Sequence, residues 1–79
     1  MRVDKRLDAS GLHCPLPVLR TKKALDEMEE GQVLEVISTD PGSKLDIPAF
    51  CKRAGHELLE VRENEGKFYY YIRKKRGGK

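Results

Sequence analysis

Pro15 and Pro17 stand one residue apart, directly after Cys14, and they restrict the local chain more than any other pair of residues in it. A proline ring fixes φ and carries no backbone N–H, so it suits neither a central strand nor a helix interior. Both prolines fit a first helical turn, whose amides have no intrahelical partner in any case. The residues that follow read as a helix. Cys14 is therefore expected at the N-cap, Pro15 at the first helical position and Pro17 at the third. This leaves the amides of Leu16 and Val18 free to face the sulfur atom at the cap. A thiolate placed there meets unpaired donors and the positive end of the helix dipole, and both lower a cysteine pKa. Cys14 is thus expected to be a reactive thiol on a stiff mount, supported by His13, Pro15, Leu16, Pro17 and Val18.

The rest of the chain alternates strands and helices. Val3 to Ala9 places Val3, Lys5, Leu7 and Ala9 on one side and Asp4, Arg6 and Asp8 on the other, the period of a half-buried strand. Ser10-Gly11 breaks it. The first helix is expected from Pro15 to Glu29, with Val18, Thr21, Ala24, Leu25 and Met28 in one apolar stripe and Gly31 as the stop. Its basic residues come early and its acidic ones late, against the dipole. Arg20, Lys22 and Lys23 either add positive potential near the thiol and receive an acidic partner, or simply solvate that face. Gln32 to Thr39 is rich in β-branched residues and reads as a central strand. After the turn Asp40-Pro41-Gly42, Ser43 and Asp46 have the spacing of a capping box, and a second helix is expected from Ser43 to Ala54 with Pro48 awkward inside it. Ile47, Phe50, Cys51 and Ala54 share a face, which makes Cys51 a small buried apolar residue. Glu57 to Glu63 alternates with Leu59 and Val61 inward. Asn64-Glu65-Gly66 is a tight hairpin, and Lys67 to Arg73 returns with Phe68, Tyr70 and Ile72 inward.

This order, βαβαββ, implies an α+β fold. The expectation is a two-layer α/β sandwich in which both helices cover one face of a mixed four-stranded sheet and the other face stays wet. The first strand–helix–strand unit is expected to pair its strands in parallel, with Cys14 at the carboxyl end of the first strand. Residues 1–73 form a single domain on this reading, and residues 74–79 a flexible basic tail.

Composition narrows the function. The 79 residues carry 16 basic and 13 acidic side chains, a net charge of +3, and the excess lies in Arg73 to Arg76 and Lys79. Without that end the domain is close to neutral, which argues against a uniformly basic nucleic-acid face. No apolar run approaches the ~20 residues a membrane helix needs, and the amino terminus has no apolar signal region. The expected location is the cytoplasm. There a disulfide between Cys14 and Cys51 is disfavoured, and the spacing of His13, Cys14, Cys51 and His56 fits no zinc pattern. Neither a metal nor a cofactor is expected.

The string Leu7-Asp8-Ala9-Ser10-Gly11-Leu12-His13-Cys14-Pro15-Leu16-Pro17 closely resembles the signature of the TusA (SirA-like) sulfur-carrier family, whose hallmark is Cys-Pro-x-Pro at the opening of the first helix. Asp40-Pro41 and Asp46-Ile47-Pro48-Ala49-Phe50-Cys51 are similar to the same family's second helix. Where family members often carry Arg directly before the cysteine, this chain carries His13. The resemblance implies a sandwich similar to the C-terminal domain of translation initiation factor three. It also implies that Cys14 carries sulfane sulfur as a persulfide. The donor would be a cysteine desulfurase or a rhodanese, and the acceptor a DsrE-like or other protein. The pathway would be tRNA thiolation, molybdenum-cofactor formation or sulfur metabolism. Such a chain is a monomeric carrier with sulfurtransferase-like activity and not a free-standing enzyme. His13 either stabilises the thiolate or only fills its loop.

Three other readings compete. A small RNA-binding module would use Tyr69, Tyr71 and the basic tail as a platform for bases, but Asp4, Asp8, Glu35 and Glu60 share that sheet face. A thiol redox regulator would oxidise a lone low-pKa cysteine. A ubiquitin-like carrier is suggested by Gly77-Gly78, but Lys79 follows and the element order is wrong.

Overall fold

A computed structural model describes residues 2–75. The elements run β1 (Lys5–Ala9), α1 (Leu16–Asp26), β2 (Val33–Ser38), α2 (Ser43–Ala54), β3 (Glu57–Asn64) and β4 (Lys67–Arg73). The four strands form one sheet in the order β1-β2-β4-β3. β1 pairs with β2 in parallel, and β4 pairs antiparallel with both β2 and β3. The fold is the α+β sandwich with a mixed sheet that the sequence pattern implies.

The core lies between the helices and one sheet face. Ala24, Leu25 and Met28 from the α1 side meet Ile47, Phe50 and Cys51 of α2 above Leu34, Val36, Phe68, Tyr70 and Ile72. Period-two spacing puts Leu34 and Val36, and likewise Phe68, Tyr70 and Ile72, on that face. Pro17 and Thr21 are also buried, and the Thr21 hydroxyl donates to the Pro17 carbonyl at 2.7 Å.

Several boundaries and contacts differ from the sequence reading. β1 starts at Lys5 instead of Val3, and α1 ends at Asp26, three residues short of Glu29. The capping box at Ser43 does not form. Gly42 is the N-cap of α2, and the buried Ser43 hydroxyl donates to the Asp40 carbonyl at 2.7 Å and lies 2.7 Å from the Tyr70 hydroxyl. In β3 the register shifts between Leu58 and Glu60. The shift makes Leu59 a bulge, so Leu58 packs on the core in its place; Val61 keeps the expected face, opposite Tyr70, but is exposed on this border strand. Glu35, expected on the wet face, is only 7% exposed. It is covered by an ion pair with Arg6 and by the Tyr71 hydroxyl, which donates to Glu35 Oε2 at 2.7 Å. Lys74 and Lys75, grouped with the tail by composition, are tied to the domain. Lys74 pairs with Gly31 and Gln32 through its backbone, and Lys75 donates its N–H to His56 Nδ1 at 3.2 Å. Residues 76–79 of the proposed tail, with Gly77-Gly78, lie outside the described residues.

Candidate functional site

Cys14 lies in the connection from β1 to α1, where the carboxyl end of β1 and the amino end of the helix meet. Gly11 turns the chain with φ of 81°, a conformation that favours glycine. The connection is pinned to the end of β2. The Gly11 N–H donates to Thr39 Oγ1 and the Cys14 N–H to Asp40 Oδ2, each at 2.9 Å. The other oxygen of Asp40 accepts the Gly42 N–H at 3.2 Å. One carboxylate therefore links the thiol's own backbone to the start of α2.

The helix starts one position later than the prolines imply. Pro15 is the N-cap of α1, with φ −96° and ψ 12°, and Pro17 falls at the second helical position. The reason is a turn ahead of the helix: the Leu16 N–H, expected to be free, donates to the His13 carbonyl at 2.8 Å. Cys14 thus precedes the cap. His13, Cys14, Pro15 and Leu16 are exposed, Val18 is half-buried and Pro17 is buried.

The electrostatics of the thiol reverse the expectation. Its pKa is raised, first by the Asp46 carboxylate across the shared cavity, an acceptor that favours the protonated sulfur. Partial loss of hydration and the charges of Asp46 and Asp40 add to the rise. The helix dipole falls off within one turn, and a thiol outside the cap with carboxylates beside it is governed by those carboxylates.

Cys14, Pro15, Val18, Asp46, Ala49 and Arg53 line a depression of about 230 Å³ between α1 and α2. Asp46, Ala49 and Arg53 are spaced i, i+3 and i+7, so one stripe of α2 faces the thiol beside the stripe that faces the core. Arg53 supplies the positive charge at this cavity. Arg20 and Lys23 line a separate depression with Lys5, Leu7, Ala24 and Glu27, and Lys22 pairs with Asp26 at 2.9 Å. Sequence reading missed Asp40, Asp46 and Arg53. The helical spacing of the last two carried a signal, but only the packing of α2 on α1 says what that stripe faces.

Cys51 is 2% exposed, and burial pushes its thiol up to about 11. The molecule therefore presents one accessible and one buried thiol. No helix among the described residues is long and apolar enough to cross a membrane.

The family model described as Sulfurtransferase TusA matches residues 5–74. The chain belongs to the TusA family. Among its TusA relatives, the sulfur carrier protein TusA of Allochromatium vinosum is 59% identical over 71 residues, covering 90% of this chain and 93% of the relative. The sulfur carrier protein TusA of Pseudomonas entomophila is 51% identical over 72 residues, covering 91% of this chain and 90% of the relative. A crystal structure of a SirA-like protein from Desulfitobacterium hafniense superposes with a TM-score of 0.79 at 29% identity, covering 90% of this chain and 97% of that one. The order βαβαββ is thus that of a SirA-like TusA fold.

Proposed function

We propose that this chain is a sulfur carrier that accepts sulfane sulfur as a persulfide on Cys14 and passes it to an acceptor protein. The observation that carries the reading is the single exposed thiol, held at the start of α1 on a cavity-lined edge in a member of the TusA family. Relatives of the same length are named sulfur carriers.

Loading exchanges one S–S bond for another. The Cys14 sulfur attacks the terminal sulfur of a persulfide on a cysteine desulfurase or rhodanese. The donor's S–S bond breaks, and the donor's own sulfur takes up the proton that Cys14 gives away. No net oxidant is consumed. Unloading is the same exchange with the acceptor, in tRNA thiolation, molybdenum-cofactor formation or sulfur metabolism. The thiolate is the nucleophile in both exchanges.

A peroxide sensor would form an oxygen adduct on Cys14 where a carrier gains sulfur, and intact mass separates the two. The open sheet face argues against an RNA platform, because Tyr71 there is bonded to a buried carboxylate.

The test is intact-mass measurement after incubation with a cysteine desulfurase and cysteine. The native chain gains sulfur and Cys14→Ser gains none, while Cys51→Ala still gains it. Sulfur on the Cys14→Ser chain would move the carrier role elsewhere. Transfer of labelled sulfur from the loaded chain identifies the acceptor and with it the pathway.

A further inference from the structure

We propose, resting on the carrier reading above, that Asp46 and Arg53 divide the two chemical states of the Cys14 cavity between them: Asp46 holds the hydrogen of the empty thiol, and Arg53 receives the anion of the loaded persulfide. Both side chains line the cavity, seven residues apart on one stripe of α2. Neither makes an ion pair among the described residues. Asp40, the other nearby carboxylate, is already committed to the Cys14 and Gly42 amides.

The charged and titratable groups around the sulfur are few. α2 supplies Asp46 and Arg53, the turn before α2 supplies Asp40, and the thiol's own loop supplies His13. α1 contributes only Pro15 and Val18 to the cavity. A carboxylate is a hydrogen-bond acceptor, so Asp46 suits a neutral S–H and opposes an anionic sulfur. A persulfide is more acidic than the thiol it replaces and is ionised at neutral pH. It extends the side chain by one S–S bond of about 2 Å. A guanidinium keeps its charge at any working pH, so Arg53 is the group that can balance that anion.

With glutathione persulfide as donor, the thiol of Cys14 becomes a persulfide and the donor leaves as glutathione. One S–S bond breaks and one forms; the donor enters as its persulfide anion, and the proton of the Cys14 thiol leaves on the glutathione. The empty state is neutral at the sulfur and the loaded state is negative. Removing Asp46 and removing Arg53 therefore act on the loading equilibrium in opposite directions.

Two measurements on the full chain test this. In the first, iodoacetamide alkylation of Cys14 is followed against pH, with peptide mapping to exclude Cys51. Asp46→Asn moves the profile to lower pH and raises the rate at neutral pH roughly two- to fivefold, the scale of an exposed charge interaction. In the second, the loaded fraction is measured by mass in fixed mixtures of glutathione persulfide and glutathione. Arg53→Gln lowers the loading constant roughly two- to fivefold, Arg53→Lys restores most of it, and Asp46→Asn raises it. An unshifted alkylation profile in Asp46→Asn, or loading constants that move together in the two variants, overturns the proposal. If the native chain takes up no sulfur on Cys14, the carrier reading fails and the Arg53 assignment with it. The alkylation profile still decides the role of Asp46 on its own.

Discussion

At the scale of single residues, Ser43 shows how burial reassigns a side chain. Its position at the start of a helix suits a cap, yet it faces inward, donating to the Asp40 carbonyl and accepting from the Tyr70 hydroxyl. Tyr70 is fully buried at the middle of β4, so its hydroxyl has no water to fall back on. Tyr70→Phe keeps the ring and removes the hydroxyl, and the expected cost is about 1 kcal/mol in urea unfolding. The same bond steadies the turn whose Asp40 holds the Cys14 amide. A slower sulfur uptake in Tyr70→Phe at unchanged fold would therefore be a second, separate readout of that variant.

At the scale of elements, the hairpin between β3 and β4 is a two-residue turn, Glu65-Gly66, with φ of 53° and 81°. Positive φ at both central positions is what a type I′ turn requires. Glycine adopts it freely, whereas glutamate is strained there. Glu65→Asn should raise stability by about 1 kcal/mol, because asparagine tolerates the left-handed region. A thermal melt checks it, and an unchanged or lowered midpoint would show the turn is held by its strands alone. This hairpin, both helices and the inward face of β4 were legible in the sequence because their signals are local: turn residues, 3.6-residue stripes and two-residue alternation. Other features were not. The bulge at Leu59 is a property of pairing with β4, and no residue of β3 announces it. The cap of α1 moved by one position because His13 turns back on Leu16. The acidic setting of Cys14 comes from Asp40 and Asp46, remote in sequence and brought close only by the packing of α2, so local reasoning from the helix dipole left out the carboxylates that raise its pKa.

At the scale of the whole molecule, the end of the described chain closes the structure. Lys74 bonds Gly31 and Gln32 through its backbone, and its ammonium group donates to the Met28 carbonyl at 2.6 Å. Lys75 donates to His56, which packs at an angle on Phe50. Burial, followed by the charge of Lys74, lowers the His56 pKa. The folded state thus prefers neutral His56, and the unfolded chain binds a proton more readily. Stability from this group is complete above the ordinary histidine value of about 6.5 and declines as pH falls through the lower folded value. Unfolding free energy should drop over that interval, before carboxylates titrate, and His56→Gln should flatten this part of the curve. A profile as steep in the variant as in the native chain would assign the acid sensitivity elsewhere.

The bulge at Leu59 has an effect beyond its own strand. β3 borders the sheet, and an unbroken border offers evenly spaced amides to any passing strand, the first step toward fibres. Here that row is out of step at one residue and flanked by Glu57, Glu60 and Arg62. A second molecule arriving at this border meets a break in the track at Leu59 and a row of charges beside it, so pairing that starts at one end is not carried through to the other.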